Sequence, residues 1–140
     1  MDSVKEFFKG DRFAARNGIS LLEVRPGYAK ARMLVEEHHF NGYRITHGGA
    51  IFTLADFAFA AASNSHGTVA VAVNANISFV KAGEVGVLLA EAREVSRGPK
   101  LSSYTIHVTN EAGELVAVFQ GLAYSKKESI ADVMAQANKT

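Results

Sequence analysis

One stretch of the chain spaces groups that could act on a carbonyl: Asn41, then His47-Gly48-Gly49, then Asp56. Two glycines in the first turn of a helix remove the side chains in front of free N–H groups at the positive end of the macrodipole, so an external oxygen can approach the backbone. Gly48 and Gly49 are therefore a candidate oxyanion hole; the same pair would also permit tight packing of helix on strand. Asp56 falls in the middle of an apolar run. Burying a carboxylate is costly and raises its pKa, so such an acid is a candidate active-site residue. Its other reading is an Asp bonded to a hydroxyl or backbone group across a subunit seam. His47 reads as a residue that ties down the helix start, and Asn41 as a turn residue with Gly42.

The remaining composition closes off other chemistries. Lys plus Arg number 15 against 14 Asp plus Glu, a net charge of +1, so no basic excess points to nucleic acid or an anionic membrane. No cysteine is present, which removes disulfides, thiolate nucleophiles and Cys-ligated zinc. Glu36 to His39, "EEHH", has metal-ligand types, but neighbours on an extended segment point to opposite sides, and no metal or other cofactor is expected. Neither a G-x-S-x-G elbow nor a G-x-x-x-x-G-K phosphate loop occurs. The N-terminus has no charged segment leading into an apolar core, and the longest apolar run contains Asp56. A cytoplasmic protein without a membrane span is the expectation.

The elements that must position these groups follow from the periodicity. Val4, Phe7 and Phe8 form one stripe of a short helix ending near Gly10, with a second turn running to Asn17-Gly18. Pro26-Gly27 splits "ISLLEVR" from "YAKARMLV", a hairpin in which Ala29, Ala31, Met33 and Val35 share a face. The long helix starts near Thr46 or His47 and stops before His66-Gly67; about 17 residues make it roughly 25 Å long. Ser63-Asn64-Ser65 reads as its fraying end. "TVAVAVNANISFV" alternates with Val69, Val71, Val73, Ala75, Ile77 and Phe79 on one face. Turn signals then cut the remainder into three further strands. Single-domain organisation is expected: a helical segment 1–18, a core 19–124 and a tail 125–140 in which Ile130, Val133 and Met134 keep helical spacing.

On the helical wheel Leu54, Ala58, Ile51 and Ala61 lie opposite Asp56, while Gly49, Phe52, Phe59 and Ala60 lie beside it. A helix apolar on both faces must be enclosed. About six strands at ~4.8 Å spacing cover one side only, so a second copy of the chain is the simplest cover for the other.

Asn41, the "HGG" at His47 to Gly49 and "FTLADFAFAAASNSHG" from Phe52 to Gly67 resemble the hotdog-fold acyl-CoA thioesterases of the phenylacetic-acid-degradation type, the PaaI-like family. A weaker likeness extends over Ile19 to Tyr124, through "VKAG" and "GELVAVFQGLAY". The resemblance implies an α+β hotdog fold: an antiparallel sheet of about six strands wrapped around one long helix and paired into a dimer, or a dimer of dimers. It implies that the Gly48 N–H polarises a thioester carbonyl, that Asp56 of the opposite subunit attacks it or activates a water, that Asn41 positions the water or carbonyl, and that His47 supports the helix start. Gly49 and Phe52, with Lys81, Arg97 and Lys100 at turns, are the expected substrate-binding residues, the three cations being candidates for the phosphates of coenzyme A. An aryl- or hydroxyaryl-acetyl-CoA is the substrate class in view, as in phenylacetate degradation. A carboxylate and a backbone oxyanion hole suffice because a thiolate is a good leaving group. Two other readings are an acyl-CoA sensor without catalysis, which Asp56 argues against, and a hotdog enoyl-CoA hydratase or dehydratase, which would pair His47 with a carboxylate across the seam.

Overall fold

Helix α3 (Gly48–Ser63) is built from residues small enough to lie close on a sheet. Leu54, Ala55, Ala58, Ala61 and Ala62 are fully buried on one side of it, where each methyl or isobutyl group meets the inward residues of the strands. Those inward residues are themselves often alanine: Ala29 and Ala31, then Ala90 and Ala92. Small side chains on both surfaces shorten the helix-to-sheet distance, and larger groups such as Met33, Leu88, Ile106 and Phe119 fill the space between.

The computed structural model describes residues 2–137; Met1 and residues 138–140, which belong to the predicted N-terminal segment and tail, lie outside them. Helices α1 (Asp2–Lys9) and α2 (Arg12–Arg16) lead into the hairpin β1 (Ile19–Arg25) and β2 (Tyr28–Val35), then a 3-10 turn at Glu37–His39 and α3. Four strands follow, β3 (Thr68–Phe79), β4 (Gly86–Arg97), β5 (Leu101–Thr109) and β6 (Leu115–Ser129), and then α4 (Ile130–Ala137). All six strands form one antiparallel sheet in the order β1-β2-β4-β5-β6-β3, and α3 packs against every one of them. This is the α+β arrangement expected, a curved sheet around a central helix. Among the described residues no helix is long and apolar enough to cross a membrane.

Several local expectations are corrected. The alternation of β3 does not run unbroken, because the pairing with β6 slips between Ala72 and Asn74. Ala70 and Ala72 pair with Ser125 and Ala123, then Ala75 and Ile77 pair with Gly121 and Phe119, so the inward face changes parity at Val73. Val71 and Val73 are consequently exposed, at 40% and 53%. The sheet also runs past residue 124, since β6 continues to Ser129 before α4 turns off. Ser63-Asn64-Ser65 is no frayed end; all three residues are buried. The Asn64 amide donates to the Ala60 carbonyl at 2.8 Å and its Oδ1 accepts the Ala70 N–H at 2.8 Å, while Ser65 Oγ accepts the Gly27 N–H at 2.8 Å. The helix end is thereby fastened to β3 and to the β1–β2 turn.

β5 and β6 cross α3 where Phe59 is stacked with Tyr104 and Phe119 at centroid distances of 5.7 and 5.6 Å. Gly121 lies under that ring. A Cβ there would stand 2.6 to 2.8 Å from three Phe59 ring atoms, and the ring, 1% exposed, has nowhere to move. Gly121→Ala is expected to destabilise the fold by ~1–3 kcal/mol through overpacking, read as a lower midpoint in urea with an unchanged slope. A midpoint equal to the parent's would mean that the contact is slack.

Candidate active site

The first turn of α3 leaves one amide free. His47 is the N-cap, and its Nδ1 accepts the Gly49 N–H at 2.8 Å, so that donor is taken within the chain. The Gly48 N–H has no partner among the described residues. Gly48 lines a cleft of about 380 Å³ together with Asn41, Ile45, Phe79 and Lys81. Of the two glycines read as an oxyanion hole, Gly48 is the one with a donor to offer. A Cβ at Gly48 would meet Phe79 Cζ at 3.1 Å, and Phe79 is 54% exposed, so the neighbour can give way.

The loop before the helix is held from several sides. Asn41 Oδ1 accepts the Tyr43 N–H at 2.9 Å and the Ile45 N–H at 3.4 Å, an Asx turn as its residue type suggests; Asn41 lines the cleft, and its side-chain amide hydrogens have no partner among the described residues. The Thr46 N–H donates to the Gly83 carbonyl at 2.9 Å, which brings the β3–β4 connection against the helix start. The His47 N–H donates to the His39 carbonyl at 2.7 Å. The His39 ring is 3% exposed; its Nδ1 accepts the Glu36 N–H at 2.9 Å, so Nε2 carries the proton and donates to the Asn17 carbonyl at 3.1 Å. Burial and then the neighbouring His38 lower the His39 pKa, which keeps the ring in this neutral, bridging form.

Asp56 lies in mid-helix, half-buried rather than enclosed, and its carboxylate makes no hydrogen bond or ion pair among the described residues. Its pKa is raised, first by burial and then by the Asp11 carboxylate. Among the described residues of the one chain it meets no donor, and its pKa is raised rather than lowered. Gly49, Thr53, Asp56 and Ala60 form a stripe that the chain leaves at least partly open. Phe52 borders the stripe with its ring against Phe119, at a centroid distance of 5.2 Å. Asp56 follows Gly48 by eight residues, about 12 Å of helix at ~1.5 Å each, so one chain cannot bring both to the same carbonyl.

Only one of the three expected phosphate cations is at this end of the molecule. Lys81 lines the cleft and pairs with Glu114 Oε2 at 3.2 Å. Arg97 and Lys100 flank the β4–β5 turn at the opposite end of the sheet, beside the C-terminus of α3. There His66 Nε2 lies 2.9 Å from Glu94 Oε1, which also accepts the Tyr104 hydroxyl at 2.9 Å. Burial pushes the Glu94 pKa up, but these two hydrogen bonds together with the charges of His66 and Arg97 outweigh it and the net shift is downward. Sequence reasoning missed this network, the bridging role of His39 and the approach of Asp11 to Asp56. The only sequence cue to the last is that Asp11 precedes a short helical run, where it caps α2 by accepting the Ala14 N–H at 2.9 Å.

Comparison with known proteins gives one direction. Residues 43–117, just over half of the chain, match the family model described as the thioesterase superfamily. A putative esterase of Archaeoglobus fulgidus is 42% identical over 130 residues, 91% of this chain and 84% of that protein. The acyl-coenzyme A thioesterase PaaI of Escherichia coli K12 is 36% identical over 118 residues, 84% of each chain. Its crystal structure superposes with a TM-score of 0.88, covering 91% of this chain and 94% of that one at 32% identity. A Streptococcus mutans protein whose structure holds acetyl-CoA superposes at 0.76 with 28% identity, covering 79% and 90% of the two chains.

The state of Asp56 has a measurable consequence. A carboxyl whose pKa is higher folded than unfolded binds its proton more tightly in the native protein, so its contribution to stability is full at low pH and is lost as pH rises through the folded pKa. Asp56→Asn is therefore expected to melt at or above the parent temperature near pH 7, with the two curves converging as pH falls toward 4. Thermal melts across that range check it. A variant that melts well below the parent at neutral pH would mean that the carboxylate is held by donors.

Proposed function

The chain belongs to the thioesterase superfamily and is a thioester hydrolase, and from that premise we propose that it cleaves acyl-coenzyme A to the free acid and coenzyme A, with Gly48 and Asp56 as the reacting pair. The observation that carries this reading is the unpartnered Gly48 N–H at the head of α3, a donor without an acceptor, opening on a cleft. In the ground state the thioester oxygen takes that hydrogen bond; as the carbonyl becomes tetrahedral the developing oxyanion strengthens it, and the positive end of the helix adds to the effect.

Because Gly48 and Asp56 of one chain are two helical turns apart, the pair is completed by Asp56 of the partner subunit. The partly open stripe of α3 and the exposed edge of β3, with Val71, Val73 and Phe79, are the surfaces that such a dimer would cover. Asp56 then acts in one of two ways. As general base it takes a proton from water while the oxygen attacks the carbonyl carbon; as nucleophile it attacks directly and water hydrolyses the resulting anhydride. In both routes the C–S bond breaks to release thiolate, which needs little help from an acid. The raised Asp56 pKa favours the basic role by bringing it nearer to working pH. Asn41 offers its free amide hydrogens to the carbonyl or the water, and His47 serves by capping the helix. With Nδ1 engaged by the Gly49 N–H, His47 is a poor base for a hydratase reaction.

For the rest of the substrate, Lys81 is placed to meet a coenzyme A phosphate at the same cleft, while Arg97 and Lys100 could do so only from another subunit. Aryl- and hydroxyaryl-acetyl thioesters are the substrates to try first, given the resemblance to PaaI. A dimer or a dimer of dimers would serve the shared site equally.

Gly48→Pro tests the oxyanion donor with little disturbance. Position 48 is the first residue of the helix, where proline is well tolerated, and His47 already has the extended ψ of 135° that a following proline demands. The substitution deletes the N–H, sets the ring's Cδ where the hydrogen stood and adds a Cβ that the half-exposed Phe79 ring must accommodate. The fold should melt near the parent temperature while kcat falls by ~10²–10³. Full turnover in Gly48→Pro would reject the assignment. Asp56→Asn should abolish coenzyme A release from every acyl-CoA in a panel, and near-parent rates would remove Asp56 from the mechanism. Sedimentation at micromolar concentration is expected to give a dimer or larger; a fully active monomer would sink the shared site.

A further inference from the structure

Beside Asp56 the chain holds a second cavity. It measures about 290 Å³, near the lower end of the range for small-molecule sites, and lies between the two N-terminal helices, β1 and α3. Phe8, Ala15, Ile19, Leu21 and Phe57 make its apolar walls, Asp11 stands on one side, and Lys5 and Lys9 are exposed at the rim. Phe8 and Phe57 meet edge to face at 5.7 Å.

We propose that this cavity receives the acyl group of the thioester, so that the N-terminal helices set which acyl-CoA is hydrolysed; the inference rests on the thioesterase reading above. Three observations carry it. Phe57 follows Asp56 on α3, so a carbonyl held at Asp56 can send its chain over the Phe57 ring into the space beneath α1. The walls are chiefly hydrocarbon, and a cavity lined this way and left unfilled forfeits packing that an apolar guest would restore. Asp11 on one side of the cavity disfavours phosphate or carboxylate against that wall, the cations Lys5 and Lys9 standing exposed at the rim, so an uncharged chain or ring is the group that fits among the apolar walls; the Asp11 charge, after burial, is one of the two causes that raise the Asp56 pKa, which sets the two acids near each other.

The roof is built to stay in place. Val4 of α1 is 1% exposed, Asp11 caps α2, and the Asn17 carbonyl that ends α2 accepts the His39 Nε2–H at 3.1 Å. His39 in turn is bonded to the residue that caps α3. The α2 roof and the head of α3 are thus fixed to each other through one residue, its ring bonded to Asn17 and its carbonyl to His47. The volume suits a single ring or a medium alkyl chain and excludes a long fatty acyl group.

The test compares ratios across acetyl-, hexanoyl-, phenylacetyl- and decanoyl-CoA. Ala15 lies on the exposed side of α2 and lines the cavity, so Ala15→Phe fills the space without removing a core contact. Its kcat/KM for phenylacetyl- and hexanoyl-CoA should fall at least tenfold relative to acetyl-CoA. Phe8→Ala, which enlarges the cavity, should shift preference the other way, raising decanoyl-CoA severalfold relative to hexanoyl-CoA. The second variant decides the matter if the first folds poorly. Active variants whose ratios equal the parent's overturn the acyl pocket and leave the thioesterase reading intact. A parent chain inactive on every thioester, yet folded and oligomeric, overturns the thioesterase reading and this inference with it.

Discussion

Everything at the site depends on how close α3 can lie to the sheet. Alanines at 55, 58, 61 and 62 on the helix and at 29, 31, 90 and 92 on the strands are all fully buried, and such small side chains let the backbones approach, with larger groups such as Met33 and Phe119 filling the space between. Each methyl contributes little alone, but the short distance lets the whole concave face of the sheet desolvate one helix. Gly121 under the Phe59 ring is the same constraint at its limit, where even a methyl is excluded. A helix seated this deeply presents its N-terminus to the β3–β4 connection, and that placement turns a free amide into a site.

The two ends of α3 are fastened by different chemistry. At the C-terminus, Asn64 and Ser65 consume their polar groups on the Ala60 and Ala62 carbonyls, the Ala70 N–H and the Gly27 N–H. At the N-terminus His47 satisfies Gly49 and leaves Gly48. Exposed helix ends normally find partners in side chains or water; the Gly48 amide has no protein partner among the described residues, which is why we propose it as the donor to the thioester oxygen.

The same geometry supports the proposal that the chain works as a dimer. The side of α3 opposite the sheet carries Gly49, Thr53, Asp56 and Ala60 and has only the N-terminal helices beside it, so Asp56 is half-buried with no donor nearby. Closing that stripe with a second copy would deepen the burial of the acid, raise its pKa further and supply the Gly48 amide it cannot reach within its own chain. Burial and catalysis are then consequences of one contact.

Much of this was legible in the residues. The order of strands and helices, the glycine pair ahead of the mid-helix acid, and the need for cover over an all-apolar helix follow from local periodicity and from the cost of placing a carboxylate in such a run, which need no knowledge of neighbours. Tertiary structure decided the rest, because each item depends on a partner distant in sequence. Pairing with β6 puts the bulge at Val73, and burial under β1 and β3 turns Ser63 to Ser65 from a predicted fray into a lock. Sheet topology separates Arg97 and Lys100 from Lys81. One ring nitrogen of His47 distinguishes Gly48 from Gly49: composition makes the two glycines equivalent, and only the bond that silences one amide identifies the other as free.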